Sequence, residues 1–325
     1  MQMEENKEII LEVKHLKKWF PVAGTHGAKS VKAVNDVSLT VRRGETLGVV
    51  GESGCGKSTF ARLVLRLLDA TGGEVLYCGK NLMAMSGSEF RAMRKHFQMI
   101  FQDPYASLNP RQTIGSVLCE PFLIHKCCSR KEAEQAAKEL LRMVELPEES
   151  MGKYPHEFSG GQRQRISIAR AMALKPDIIV CDECVSALDV SIQAQIINML
   201  KRLQKEYGLT LIFISHDLRV IKHISDHVAV MYLGELLEYS DKNDLYLHPT
   251  HPYTQALLSA IPIADPTAHR DHIHLEGEIP SPIDRPEGCA FCTRCSMADD
   301  RCKKETPPVV QVGEEHVCKC FKISS

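Results

Sequence analysis

One stretch limits what this chain can fold into: Gly51-Glu52-Ser53-Gly54-Cys55-Gly56-Lys57-Ser58-Thr59. It fits the pattern G-x-x-x-x-G-K-[ST], a loop whose backbone N–H groups cradle phosphate. Its flanks suit that role. Thr46-Leu47-Gly48-Val49-Val50 is a short apolar run that predicts a buried strand, and Phe60, Leu63, Val64 and Leu67 recur behind it at helical spacing. The glycines let the backbone wrap closely around a triphosphate with its N–H groups pointing inward. The helix N-terminus adds partial positive charge. Lys57 is expected to reach the β- and γ-phosphates, and the Ser58 hydroxyl to hold Mg²⁺. A glycine turn with a stray lysine is the plain alternative, and two correct flanks weigh against it.

A chain of 325 residues predicts one large domain with an appendage, or two domains. The net charge of −1 argues against a protein that lives by wrapping nucleic acid. No apolar run approaches the roughly 18 residues a bilayer span needs. Glu4, Glu5 and Glu8 make the N-terminus unlike a signal peptide. The expectation is a cytosolic chain whose link to a membrane, if any, runs through a partner. The 13 cysteines divide into a scattered set from Cys55 to Cys184, read as buried small hydrophobes, and a cluster from Cys289 to Cys320.

Residues 8–50 predict strands at Ile9–Val13, Val31–Val34 and Val37–Val41, with an exposed loop over Val22–Ser30. Glu74–Tyr77 and Gln98–Phe101 predict two more. Ala133, Ala136, Ala137, Leu140, Leu141 and Val144 keep one helical face, and Pro147 stops it. Strand and helix then alternate: Ile178–Cys181, a helix striped by Ile192, Ile196, Met199, Leu200 and Leu203, and the apolar strand Leu209–Ile214. This alternation predicts an α/β core with a mostly parallel sheet, a β-rich N-terminal part and a helical insertion over about 103–165. Periodicity fades after Tyr239, which places a boundary near 240: a nucleotide-binding domain over 1–240 and a small Cys-rich region over 241–325. The phosphate loop occurs once, so this is no fused pair.

Phe158-Ser159-Gly160-Gly161-Gln162 precedes a helix carrying Ile166, Ala169 and Ala173. Ser159, Gly160, Gly161 and Gln162 can offer hydroxyl and backbone donors to phosphate at that helix's N-terminus. A second phosphate-binding element makes sense where two chains sandwich ATP and each supplies one face. Here the chain resembles the ATP-binding-cassette (ABC) ATPases, a P-loop family with a RecA-like core, in which F/L-S-G-G-Q is read by the partner's ATP. The resemblance implies roles for further residues. Asp182 supports Mg²⁺ through water, together with Ser58 and Gln102, and Glu183 polarises the attacking water. Ser186-Ala187-Leu188-Asp189 looks like the loop that crosses the dimer interface. His216 matches the switch histidine at the γ-phosphate, and Gln102 the glutamine that links the core to the helical insertion. Phe20 lies where the family places an aromatic under adenine, with Trp19 its competitor. Taken singly, a histidine after a strand is usually a satisfied polar residue and Asp-Glu an ordinary loop. Their order along the chain carries the argument. Cys184 departs from the pattern, because the family usually has proline after the glutamate, whose ring would fix φ.

Phe101-Gln102-Asp103-Pro104-Tyr105-Ala106-Ser107-Leu108-Asn109-Pro110-Arg111, Tyr154-Pro155-His156-Glu157-Phe158 and His251-Pro252-Tyr253-Thr254 look like oligopeptide and dipeptide importer ATPases. The likeness implies one of two ATPase subunits beneath two transmembrane permease subunits, fed by an extracytoplasmic peptide-binding protein, at the cytoplasmic face of the membrane and with no nucleic acid. Pro104 to Pro121 is expected to contact the permease. Nickel importers share much of the pattern, and 14 histidines do not decide, because the ATPase never touches the cargo. A soluble ABC protein of DNA repair or translation is the rival class; it usually carries tandem cassettes or a long coiled-coil insertion.

Cys289, Cys292, Cys295, Cys302, Cys318 and Cys320 cluster near the end of the sequence, and Cys289-x-x-Cys292-x-x-Cys295 is similar to a ferredoxin-type run. Cys289, Cys295, Cys302 and Cys318 match cysteines that recur in the tails of the peptide-importer ATPases. Some of those hold a [4Fe–4S] cluster there, so the resemblance implies these four as ligands, with Cys292 able to replace Cys295. Zinc on four thiolates, disulfides disfavoured in a reducing cytosol, and free buried thiols are the alternatives. The expected role is a staple for a segment with few large apolar residues. Its distance in sequence from the phosphate loop assigns it no part in hydrolysis.

Overall fold

The computed structural model describes residues 8–22, 29–262 and 273–323. The chain opens with β1 (Ile9–Pro21), β2 (Ser30–Arg42) and β3 (Thr46–Val50). Next come α1 (Lys57–Val64), β4 (Gly72–Tyr77), β5 (Lys80–Asn81) and α2 (Gly87–Met93). β6 (Phe97–Ile100) leads into α3 (Pro104–Ser107), α4 (Ile114–Ile124), α5 (Arg130–Met143) and α6 (Gly160–Met172). Strand and helix then alternate through β7 (Ile178–Asp182), α7 (Val190–Tyr207), β8 (Thr210–Ile214), α8 (Leu218–Ile224) and β9 (His227–Tyr232). The C-terminal part holds β10 (Glu235–Asp241), α9 (Lys242–Leu247), α10 (Pro252–Ser259), α11 (Asp300–Lys304), β11 (Val309–Gly313) and β12 (His316–Lys319). Most of the expected loop at Val22–Ser30 lies outside the described residues. The two runs expected at Val31–Val34 and Val37–Val41 form the single strand β2.

The chain divides into two compact units, Met1–Ala84 with Ser215–Ser325, and Met85–Ile214. In the first, β2-β1-β4-β5 form an antiparallel sheet. A second sheet runs in the order β11-β12-β10-β9-β3. β3 and β9 pair in parallel, Leu47 beside His227 and Val50 beside Val230. Every residue of both strands is buried, which is why they read as continuous apolar runs rather than alternating ones. Each such Val or Leu side chain removed from water contributes about 1.5–3 kcal/mol.

The residues after 240 enter this same unit. β12 pairs with β10, Glu238 beside Cys318. Glu238 is fully buried, and its carboxylate accepts from His316 Nε2 (2.7 Å) and from the N–H groups of Thr250 (2.7 Å) and His251 (3.0 Å). His316 Nδ1 also faces Asp244 Oδ2 at 2.6 Å. Burial alone would push His316 down, but its bonds to Glu238 and Asp244 outweigh burial and raise it. Buried Glu235 takes Lys319 Nζ at 2.8 Å, Asn35 Nδ2 at 3.0 Å, and Arg285. Burying a carboxylate is costly unless it is paired and hydrogen-bonded in this way, so these bonds fix the C-terminal strands on the core.

In the second unit β8, β7 and β6 pair in parallel. β7 and β8 are buried throughout. α5 starts at a capping box in which Ser129 accepts from the Glu132 N–H and Glu132 accepts from the Ser129 N–H. It buries Ala133, Ala137, Leu140 and Leu141, much of the face its spacing predicts. α7 ends at Gly208, whose φ of 66° is a left-handed C-cap. Among the described residues no helix is long and apolar enough to cross a membrane.

Candidate functional site: a phosphate loop, a carboxylate pair and a thiol pocket

The loop after β3 owes its shape to two glycines. Gly51 has φ 149°, and a Cβ there would stand 2.1 Å from the Met231 carbonyl oxygen. Gly56 has φ 103°, and its Cβ would stand 2.0 Å from the Ala33 carbonyl oxygen. Any side chain at either position would collide with backbone. Lys57 opens α1 and is buried, and its Nζ donates to the carbonyls of Gly51 (2.7 Å) and Glu52 (2.9 Å). The ammonium is thus held over its own loop. Ser58 and Thr59 follow it in the first turn, half-buried. Cys55 is buried beside Lys57, and burial pushes its thiol up.

In the second unit, β7 delivers Asp182, buried, and then Glu183. Glu183 has φ 47°, a left-handed conformation costly for a residue with a side chain. Its N–H donates to the Ile214 carbonyl at 3.0 Å, and its own carbonyl accepts from the Ser186 N–H (3.1 Å) and Oγ (2.9 Å). Gln102 Nε2 donates to Glu183 Oε2 at 3.1 Å, across 81 residues of sequence. Cys184 packs where proline was expected and is 2 % exposed. The Cys184 thiol and burial together push the Cys181 thiol well up.

Ser159 caps α6: its Oγ accepts from the Gln162 N–H at 3.3 Å, and Gln162 Oε1 accepts from the Ser159 N–H at 3.0 Å. A Cβ on Gly161 would stand 2.6 Å from Ile192 Cγ2, and one on Gly160 3.5 Å from Leu188 Cδ2. Gly161 therefore allows close approach of the segment that carries Asp189, the exposed N-cap of α7, while a side chain at Gly160 would make only ordinary contact. In the first unit His216 is exposed. Trp19 and Phe20 are consecutive residues near the end of β1, each 36 % exposed.

Cys289, Cys292, Cys295, Cys302 and Cys320 line one pocket with His251, Phe291 and Phe321. Cys318 is buried and precedes Cys320 by two residues. Burial pushes the Cys289 thiol up to about 12 and raises Cys318 further. His251 Nδ1 accepts from the Tyr253 N–H at 3.1 Å, which leaves the proton on Nε2. That Nε2 is buried with no well-formed hydrogen bond, and the Lys319 backbone lies against the ring. Burial holds the ring neutral by lowering it to about 4. Among the described residues no group of three or more His, Cys, Asp or Glu side chains is placed to hold a metal ion.

The thiol pocket is not remote from the phosphate loop, as its place in the sequence suggested. Arg294, between Cys292 and Cys295, forms a bidentate pair with Glu52: Nη1 to Oε2 at 2.7 Å and Nη2 to Oε1 at 3.1 Å. The Glu52 N–H donates to the Tyr253 hydroxyl at 3.0 Å. Neither Arg294 nor Tyr253 carries a local signal for this contact beyond its place in a Cys-x-x-Cys run or in His251-Pro252-Tyr253-Thr254.

The sequence matches the ABC transporter family over residues 34–186 and the oligopeptide/dipeptide transporter C-terminal region over 237–302. It is 50% identical to the oligopeptide transport ATP-binding protein AppF of Bacillus subtilis over 98% of this chain and 99% of that one. It is 51% identical to the oligopeptide transport ATP-binding protein OppF of Escherichia coli over 98% of each. A solved dimeric ATP-binding cassette in a post-hydrolysis state, bound to ADP and Pi, superposes with a TM-score of 0.64. It has 29% identity and covers 72% of this chain and 99% of its own.

Proposed function

Because this chain belongs to the ABC transporter ATP-binding proteins of the oligopeptide type, we propose that it hydrolyses ATP to drive peptide import through a permease in the membrane. The single observation that carries the chemistry is the Gln102–Glu183 contact beside buried Asp182 at the end of β7. It joins a carboxylate able to orient water to the first residues of the helical insertion.

Lys57 and the loop from Gly51 to Thr59 bind the phosphates, the Glu52 N–H excepted because it donates to Tyr253, and Phe20 stacks on adenine. Glu183 orients the attacking water, and His216 donates to the γ-phosphate. The oxygen donors of Ser58, Gln102 and Asp182 suit Mg²⁺, a hard cation that neutralises phosphate charge when bound. Ser159 to Gln162 and Asp189 face the ATP held by a second, homologous ATPase subunit. The isolated chain therefore binds ATP but hydrolyses it slowly, with a rate that rises with protein concentration. Pro104 to Pro121 contacts one of two permease subunits, which an extracytoplasmic peptide-binding protein supplies. The chain works at the cytoplasmic face, and residues 241–325 form the transporter-specific region.

The thiol pocket fits an iron–sulfur group in its donor chemistry. Cys289, Cys292, Cys295, Cys302 and Cys320 share an apolar pocket that buried Cys318 does not line, and His251, whose Nε2–H is a donor suited to a sulfur acceptor, lines the same pocket. Cys289, Cys295, Cys302 and Cys318 would hold a [4Fe–4S] cluster as a structural staple, with zinc as the competing occupant. Loading requires the thiols to lose their protons, so it releases acid and tightens with pH.

The test is ATP binding and hydrolysis by the chain alone and then in membrane vesicles with its permease and binding-protein subunits. Peptide-stimulated hydrolysis that disappears in Lys57→Ala is the expected result. Stimulation by Ni²⁺ and not by peptides would move the substrate to nickel. Full, concentration-independent turnover in a proven monomer would overturn the shared site.

A further inference from the structure

A phosphate loop that carries a glutamate has an electrostatic problem. ATP brings several negative charges to a loop whose second residue, Glu52, is itself an anion. An unpaired carboxylate there repels the ligand that the amides and Lys57 attract.

The fold answers with two side chains from the C-terminal region. Arg294 grips both oxygens of Glu52, in the geometry that makes Arg–carboxylate pairs strong and directional. Tyr253 accepts the Glu52 N–H and so fixes the backbone at the leading edge of the loop. Both are anchored. The Arg294 side chain is 7% exposed, and its guanidinium lies over the Tyr232 ring, 5.9 Å from the centroid. Tyr232, Tyr253 and Phe291 form a buried aromatic cluster with centroids 4.8–5.4 Å apart. Cys292 and Cys295, on either side of Arg294, line the thiol pocket.

We infer that Arg294 and Tyr253 are positioning residues for nucleotide binding: Arg294 neutralises Glu52 and Tyr253 holds its N–H, so the Cys-rich region braces the phosphate loop from behind. This rests on the reading of the loop as the ATP site. Neither side chain touches nucleotide; each acts through Glu52.

The experiment measures the Kd of a fluorescent ATP analogue for the full chain, with thermal unfolding of the nucleotide-free protein alongside. Arg294→Ala is expected to weaken binding about tenfold (about 1.4 kcal/mol). Arg294→Lys keeps the charge but loses the two-pronged grip and should fall between. Tyr253→Phe removes one hydroxyl and should weaken binding about threefold. The deciding variant is the pair Glu52→Gln with Arg294→Ala. With the carboxylate gone there is nothing to neutralise, so the pair should bind close to Glu52→Gln alone. Arg294→Ala binding as tightly as wild type, or the pair binding as weakly as Arg294→Ala, would overturn the brace; the second result would assign Arg294 a purely structural role. Lys57→Ala separates the two readings. If it loses ATP while Arg294→Ala does not, the brace fails alone; a wild-type chain with no ATP affinity removes the ATP site and the brace with it.

Discussion

Replacing Gly56 by alanine tests whether the loop's shape is imposed by its neighbours. Two costs follow from the structure. The backbone there has φ 103°, where an L side chain is strained by about 1–2 kcal/mol. The new Cβ would also stand 2.0 Å from the Ala33 carbonyl oxygen, so the loop or strand β2 must shift. Forcing a methyl group into packed structure costs about 1–3 kcal/mol more. The total, about 2–5 kcal/mol, is a large share of the ~5–15 kcal/mol that holds a typical domain. Gly54 supplies the control: its φ is 77°, but a Cβ there meets nothing within 4 Å, so Gly54→Ala carries the strain alone. Urea unfolding of the nucleotide-free chain should therefore place Gly56→Ala about 1–3 kcal/mol below Gly54→Ala. Equal losses in the two variants would refute the argument, because the contact with Ala33 would then cost nothing.

Glu183→Gln keeps the size of the side chain and can still accept from Gln102, so folding and ATP binding should persist while hydrolysis falls by about 10²–10⁴-fold. Near wild-type turnover in the assembled transporter would remove Glu183 from the chemistry. His316 is raised in the folded chain, so its contribution to stability is full below its ordinary value of about 6.5 and is lost as pH rises through the raised one. The stability gap between wild type and His316→Gln should accordingly narrow from pH 6 to pH 9 in urea titrations; a widening gap would reverse the assignment. Anaerobic purification followed by iron, sulfide and zinc analysis should find about four irons and four sulfides per chain, lost in Cys302→Ser. Stoichiometric zinc without iron would replace the cluster, and neither metal would leave free thiols.

Short-range pattern carried much of this protein. The phosphate loop, its buried strand and its helix were legible because glycine spacing and apolar periodicity are local properties. β7 and β8 were legible as buried strands because each is a continuous apolar run, and α5 because its alanines and leucines keep one face. Tertiary structure decided the rest. The Glu52–Arg294 pair joins residues 242 positions apart, and nothing near either one marks the other. The seating of the Cys-rich tail escaped local reading for the same reason. Its attachment depends on Glu238 meeting His316, Thr250 and His251, a pairing between strands and loops that no local period encodes. The left-handed turn at Glu183 is likewise invisible in sequence, since it is held by bonds to Ile214 and Ser186 rather than by a glycine. Local sequence names the candidates for contact with phosphate or sulfur; only long-range hydrogen bonds and ion pairs fix which of those groups stand next to one another, because their partners are chosen by packing.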